Sequence, residues 1–131
     1  MVSASYVDTS VAVHVLLGNA SARAWFDDAT GGAEPVISSR LLRTELTRVL
    51  RREGVPVSRR DAVLDHLSVV PLDHAVLQEA EAIVPHVRTL DAIHLASALR
   101  TGIDDLVVVT HDATLRSVAE ELGLRTLDPV R

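Results

Sequence analysis

The chain has 131 residues, and 47% of them are hydrophobic, enough for one compact domain with its own core. It has no Cys, and its 13 basic residues are all Arg, which excludes thiolate nucleophiles, zinc–thiolate sites, Schiff-base chemistry and a P-loop lysine. Aromatics are 2%, namely Tyr6, Trp25 and Phe26, which argues against base-stacking RNA modules; the net charge of −5 argues, at face value, against a polyanion partner.

In chain order, Ala4 to Val7 reads as a buried strand, with Thr9 or Ser10 capping a helix to about Leu17. A helix over Ser21 to Ala29 and a short strand over Pro35 to Ser38 follow. Ser39 to Glu53 is strongly amphipathic, with Leu41, Leu42, Leu46, Val49 and Leu50 on one face. The pattern continues with a helix over Ser58 to Leu67, a strand over Ser68 to Val70, and a helix from Asp73 to about Val84. Thr89 to Arg100 is apolar nearly all round, hence a buried helix. Leu106 to Thr110 is the clearest strand. Ala113 to Leu122 is helical, and Arg125 to Leu127 forms a last strand. Strands alternating with helices predict a mainly parallel sheet covered on both faces, an α/β/α sandwich.

Ligands of open α/β sheets bind beyond the carboxyl ends of the strands. Asp8 ends the first strand in Tyr6-Val7-Asp8-Thr9-Ser10, and Asp112 lies just past Leu106 to Thr110. Asp91 interrupts the buried helix, and Glu45 falls at the margin of an apolar helix face. Four carboxylates at one sheet end repel one another unless a cation intervenes. A hard divalent ion with oxygen ligands meets that need and suits phosphodiester hydrolysis without a nucleophilic side chain. Each acid also has an ordinary alternative. Asp8 and Asp112 suit helix caps, Asp91 suits a helix N-terminus, and Glu45 suits pairing with Arg48 or Arg52.

In this order and spacing, the segments Tyr6-Val7-Asp8-Thr9-Ser10, Arg43-Thr44-Glu45-Leu46, Leu90-Asp91-Ala92-Ile93-His94-Leu95-Ala96 and Val109-Thr110-His111-Asp112 resemble the PIN-domain ribonucleases, specifically the VapC toxins of bacterial toxin–antitoxin pairs. The resemblance runs from Tyr6 to Pro129. It implies a single PIN-like domain over residues 1–131, with a short, mainly parallel sheet. It further implies Mg²⁺- or Mn²⁺-dependent endoribonuclease activity, with Asp8, Glu45, Asp91 and Asp112 as metal-holding catalytic acids. It also implies a cognate VapB-type antitoxin and homodimers. Some relatives carry a further carboxylate after the fourth acid; here that stretch is Ala113-Thr114-Leu115.

Thr9 and Thr110 adjoin the acids and suit orientation of a carboxylate or a water. His94 reads as a satisfied core histidine, and His111 as a loop residue at the rim of the site. Residues 40–60 hold seven Arg against two Glu, a local net charge of +5. Arg48 and Arg52 follow Glu45 by three and seven residues, on the same helix side, as candidate RNA phosphate contacts. Apolar anchors on Val11 to Leu17 and Ser39 to Glu53 are candidate antitoxin surfaces. Neither a signal peptide nor a membrane span is expected, so the reading is cytoplasmic. The rivals are a receiver-type phosphoacceptor, a haloacid-dehalogenase-like phosphatase and a non-catalytic PIN-like RNA- or protein-binding module. The first two are disfavoured by the missing Lys, and the second also by Ser10 where a second Asp belongs.

Overall fold

The computed structural model describes residues 3–131. Five parallel strands form one sheet in the order β3-β2-β1-β4-β5. They are β1 (Ser3–Val7), β2 (Val36–Ser39), β3 (Ser68–Val70), β4 (Asp105–Val109) and β5 (Arg125–Leu127). The helices are α1 (Thr9–Leu16), α2 (Ala20–Gly31), α3 (Arg40–Arg52), α4 (Asp61–Leu64), α5 (His74–Ala82), α6 (Thr89–Arg100) and α7 (Ala113–Glu121). The chain builds outward from β1 to β3, then returns to the far side of β1 for β4. The strand order therefore reverses between β1 and β4, and open α/β sheets bind ligands beyond the carboxyl ends of the strands at such a point.

Side-chain alternation along the strands divides the core into layers. Val7, Val36 and Val109 pack with Val11, Val15, Phe26, Leu42, Leu46, Leu50 and Val63 of α1 to α4. Ala4, Tyr6, Ile37, Leu106 and Val108 face Leu95, Ala98, Leu115 and Val118 of α6 and α7. A smaller cluster joins Leu41, Val76, Ile93 and Ala96 where α5 and α6 meet α3. The architecture is thus the expected α/β/α sandwich. No helix among the described residues is long and apolar enough to cross a membrane.

Several local expectations are corrected. The first helix is capped by Asp8, whose carboxylate accepts the Val11 N–H, and not by Thr9 or Ser10. Ser58 to Leu67 is not one helix. Pro56 precedes a 3-10 turn, Val57–Arg60, which runs into the single turn of α4. The helix after Asp73 ends at Ala82, with Ile83 already extended, two residues short of the expected Val84. The apolar residues of α1 and α3 that suggested a partner surface are mostly core. Val11, Val15, Leu42, Leu46 and Leu50 are buried, leaving a shallow dent edged by Val13, Leu17 and Val49.

Candidate active site

At this sheet end, Asp8 leaves β1 in extended conformation and is only 3% exposed. A carboxylate so buried needs donors. Val11 N–H donates to Oδ1 at 3.2 Å, Ser10 Oγ donates to Oδ1 at 2.7 Å, and Thr110 Oγ1 donates to Oδ2. Both hydroxyls are held in turn by the loop after β4. His111 N–H donates to Ser10 Oγ at 2.8 Å, and Asp112 N–H donates to Thr110 Oγ1 at 3.0 Å. The first acid and the loop carrying the fourth are thereby latched together. Burial still dominates and pushes Asp8 above the ordinary carboxylate range, against the pull of Thr110 and Ser10.

Asp112 caps α7, its Oδ1 accepting the Leu115 N–H at 3.0 Å. Glu45, on α3, accepts at Oε1 from Thr9 Oγ1 at 2.5 Å and from His94 Nε2 at 2.7 Å. Asp91, in the first turn of α6, is half-buried and makes no side-chain hydrogen bond among the described residues. Burial raises its pKa first, and the charge of Asp112 adds to this; His94 opposes, while Asp8 and Glu45 reinforce. The four acids therefore share one electrostatic environment, in which His94 is the one group pulling the other way on Asp91.

The caps expected of Asp8 and Asp112 are real, and they fix the same carboxylates at the sheet end. The Glu45 pairing with Arg48 or Arg52 does not form. Arg52 reaches Glu53 at 3.3 Å, and Arg48 is exposed with no ion pair among the described residues. His94 is buried and satisfied as expected, but its partners are Glu45 and Thr9 Oγ1 (3.1 Å) at Nε2 and, through Nδ1 at 2.8 Å, the Tyr6 hydroxyl. His111 is bound to Asp128 at 2.9 Å and stacks edge-on against His14. Sequence reasoning missed Ser10 and Tyr6. The Asp-x-Ser spacing after a strand, which places a hydroxyl in the first turn beside a capping Asp, was the available signal for Ser10. A cavity of about 470 Å³ between α5 and α6 is lined by none of the four acids.

Among the described residues no three His, Asp or Glu side chains are placed to enclose an ion unaided. The donor set fits a hard ion that keeps most of its own water. The carboxylate oxygens without a hydrogen-bond donor among the described residues are both of Asp91, Oε2 of Glu45 and Oδ2 of Asp112. Asp8 adds a spare lone pair on Oδ2, which receives one donor, against two on Oδ1.

Residues 5–121 match the family model described as the PIN domain. Ribonuclease VapC47 of Mycobacterium tuberculosis (strain CDC 1551 / Oshkosh) is 37% identical over 130 residues, 95% of this chain and 96% of that protein. Ribonuclease VapC46 of Mycobacterium tuberculosis (strain ATCC 25618 / H37Rv) is 38% identical over 97 residues, 72% of this chain and 75% of that protein. Among solved structures, VapBC2 from Rickettsia felis, bound to a DNA fragment from their promoter, matches with TM-score 0.72 at 12% identity over 95% and 97% of the two chains. DNA-bound VapBC from Salmonella typhimurium matches with TM-score 0.68 at 22% identity over 98% of each. Identities this low carry the fold alone. The family match spans nearly every element and all four acids, and curated relatives align along most of their length: the chain belongs to the PIN-domain family.

Proposed function

We propose that the protein is a divalent-metal-dependent endoribonuclease, the toxin of a type II toxin–antitoxin pair, working in the cytoplasm as one PIN-like unit over residues 1–131. The observation that carries this reading is the shared setting of Asp8, Glu45, Asp91 and Asp112 beyond β1 and β4, with several oxygens left free. The ribonuclease names of the relatives supply the substrate class. The VapBC descriptions of the structural neighbours point to a VapB-type partner. A homodimer accords with the family resemblance.

Asp91, Glu45, Asp112 and Asp8 would hold Mg²⁺ or Mn²⁺, directly or through water. When bound, the ion supplies Lewis acidity, lowering the pKa of water and offsetting phosphate charge. The chain's own groups do the positioning. Ser10 and Thr110 fix Asp8, Thr9 and His94 fix one oxygen of Glu45, and the α7 cap fixes Asp112. A carboxylate oxygen left free by these contacts can accept a proton from the attacking water and orient it toward phosphorus. Arg48, exposed on α3 three residues beyond Glu45, and Arg52 would contact RNA phosphates.

The test is Asp91→Asn, because the Asp91 side chain makes no hydrogen bond among the described residues. Cleavage of RNA in Mg²⁺ should fall by at least about 100-fold, in line with loss of a group acting in the transition state, while the melting temperature holds. Cleavage at the wild-type rate by this variant would overturn the reading.

A further inference from the structure

His94 lies at the meeting point of three elements. It is 2% exposed, and both ring nitrogens are engaged. Nε2 faces Glu45 Oε1 at 2.7 Å; an ionised carboxylate only accepts, so Nε2 donates. Nδ1 shares a 2.8 Å hydrogen bond with the hydroxyl of Tyr6, a residue of β1 with no exposed surface. The rings meet edge to face at 5.9 Å and 73°, so packing as well as the hydrogen bond sets the imidazole plane. Burial drives the Tyr6 pKa far upward, so the hydroxyl keeps its proton and remains in the network.

We infer that Tyr6 and His94 form a positioning relay that holds Glu45 with Oε1 turned inward and Oε2 presented to the acidic site. This rests on the proposed metal-dependent reading of the site. Tyr6 belongs to the face of the sheet covered by α6 and α7, whereas most of α3's apolar stripe covers the opposite face. The relay therefore joins the two outer layers around the sheet end. His94 also follows Asp91 by three residues on α6, so the ring that fixes Glu45 is on the same helix side as Asp91. A shift of the imidazole would therefore move Glu45 relative to Asp91. Thr9 alone would leave Glu45 with one donor and a free torsion. A bland alternative is that Tyr6 and His94 only satisfy each other in the core. That predicts a loss of stability with no dependence on Glu45.

A double-mutant cycle on the full chain separates the two. Tyr6→Phe removes one hydroxyl and keeps the ring. His94→Gln, an independent variant, removes the imidazole while keeping a donor. Each is combined with Glu45→Ala. Mn²⁺ affinity of the RNA-free protein is read by electron paramagnetic resonance, alongside kcat and KM for RNA and the melting temperature. Tyr6→Phe and His94→Gln should each weaken Mn²⁺ binding by about tenfold, the usual effect of losing an outer partner of a metal ligand. Both losses should shrink to within about twofold once Glu45 is gone, as expected when the effect passes through that residue. The loss should fall on kcat more than on KM. Equal losses with and without Glu45, or no loss in either single variant, would overturn the relay; either variant suffices to run the cycle. A wild-type protein that binds no Mn²⁺ would overturn the metal reading and the relay with it, whereas normal binding with additive losses would overturn the relay alone.

Discussion

Asp8 does two jobs with one carboxylate, and the two can be separated. Oδ1 caps α1 and receives Ser10, while Oδ2 receives only Thr110 and keeps a spare lone pair. Burial makes the negative charge costly, as its raised pKa records. Asp8→Asn keeps an oxygen for the cap and for Ser10, and it removes the charge. Thr110 then accepts from the new amide where it had donated. Thermal unfolding of Asp8→Asn in a chelator should match or exceed the wild type, with the melting temperature as the readout. Cleavage should fall to background in Mg²⁺. Asp8→Ala should instead lose about 1 kcal/mol or more of stability, the usual cost of deleting a cap. A destabilised Asn variant would show that the charge, not the oxygen, supports the fold.

At the scale of elements, the long patterned segments were legible and the short ones were not. The stripe Leu42, Leu46 and Leu50 gave α3 its register, because burial at 3.6-residue spacing leaves few alternatives. The four acids could be placed near one sheet end because Asp8 and Asp112 follow apolar strands. The relay could not be read from sequence. Tyr6 and His94 lie 88 positions apart, and Glu45 and His94 lie 49 apart, contacts that no local pattern encodes. The stretch from Val57 to Leu64 failed for the opposite reason. Only Val63 is buried there, so nothing enforces a regular helix. Arg48 and Arg52 remain readable as a solvated face or as phosphate contacts, and salt distinguishes these. The Arg52–Glu53 pair is largely exposed and holds Arg52 weakly. Arg48→Ala should reduce the slope of log K against log salt for single-stranded RNA by about 0.7, with the melting temperature unchanged. An unchanged slope would return Arg48 to the solvated face. A second element-scale contact concerns β5, an edge strand of three residues. Asp128 just after it binds His111 at 2.9 Å, Arg116 at 3.2 Å and the Val130 N–H at 3.0 Å. Burial works to raise its pKa, but the His111 hydrogen bond and the other contacts outweigh this and hold it below the ordinary carboxylate value. A lowered folded pKa means that the contribution is complete above the ordinary value and is lost as pH falls through the folded one. Asp128→Asn should thus lower the melting temperature at neutral pH, and the gap to wild type should close as pH falls below about 4, the ordinary carboxylate value. A constant gap across that range would exclude the ionised carboxylate as its cause.

For the whole molecule, a net charge of −5 gives an incomplete picture, because the charge is segregated. Carboxylates collect beyond β1 and β4, while residues 40–60 carry a local net charge of +5 on and beside α3. A polyanion meets the basic side first, and a divalent ion offsets the repulsion within the acidic side. The unliganded fold therefore carries internal repulsion: burial raises the pKa of Asp91 first, and the charges of Asp112, Asp8 and Glu45 raise it further. An ion that binds only the folded state stabilises it by about 2.7 kcal/mol at one hundred times its Kd. In a domain of this size that corresponds to a rise in melting temperature on the order of 10 °C. Mg²⁺ or Mn²⁺ should produce such a rise in the wild type, and a chelator should reverse it. In Asp91→Asn the unliganded protein should melt at or above the wild-type temperature, because one repelling charge is gone, and the ion-induced rise should shrink sharply. The same rise in both proteins would place the ion away from the four acids. The two curves thus test charge segregation as a property of the whole fold, independently of any RNA.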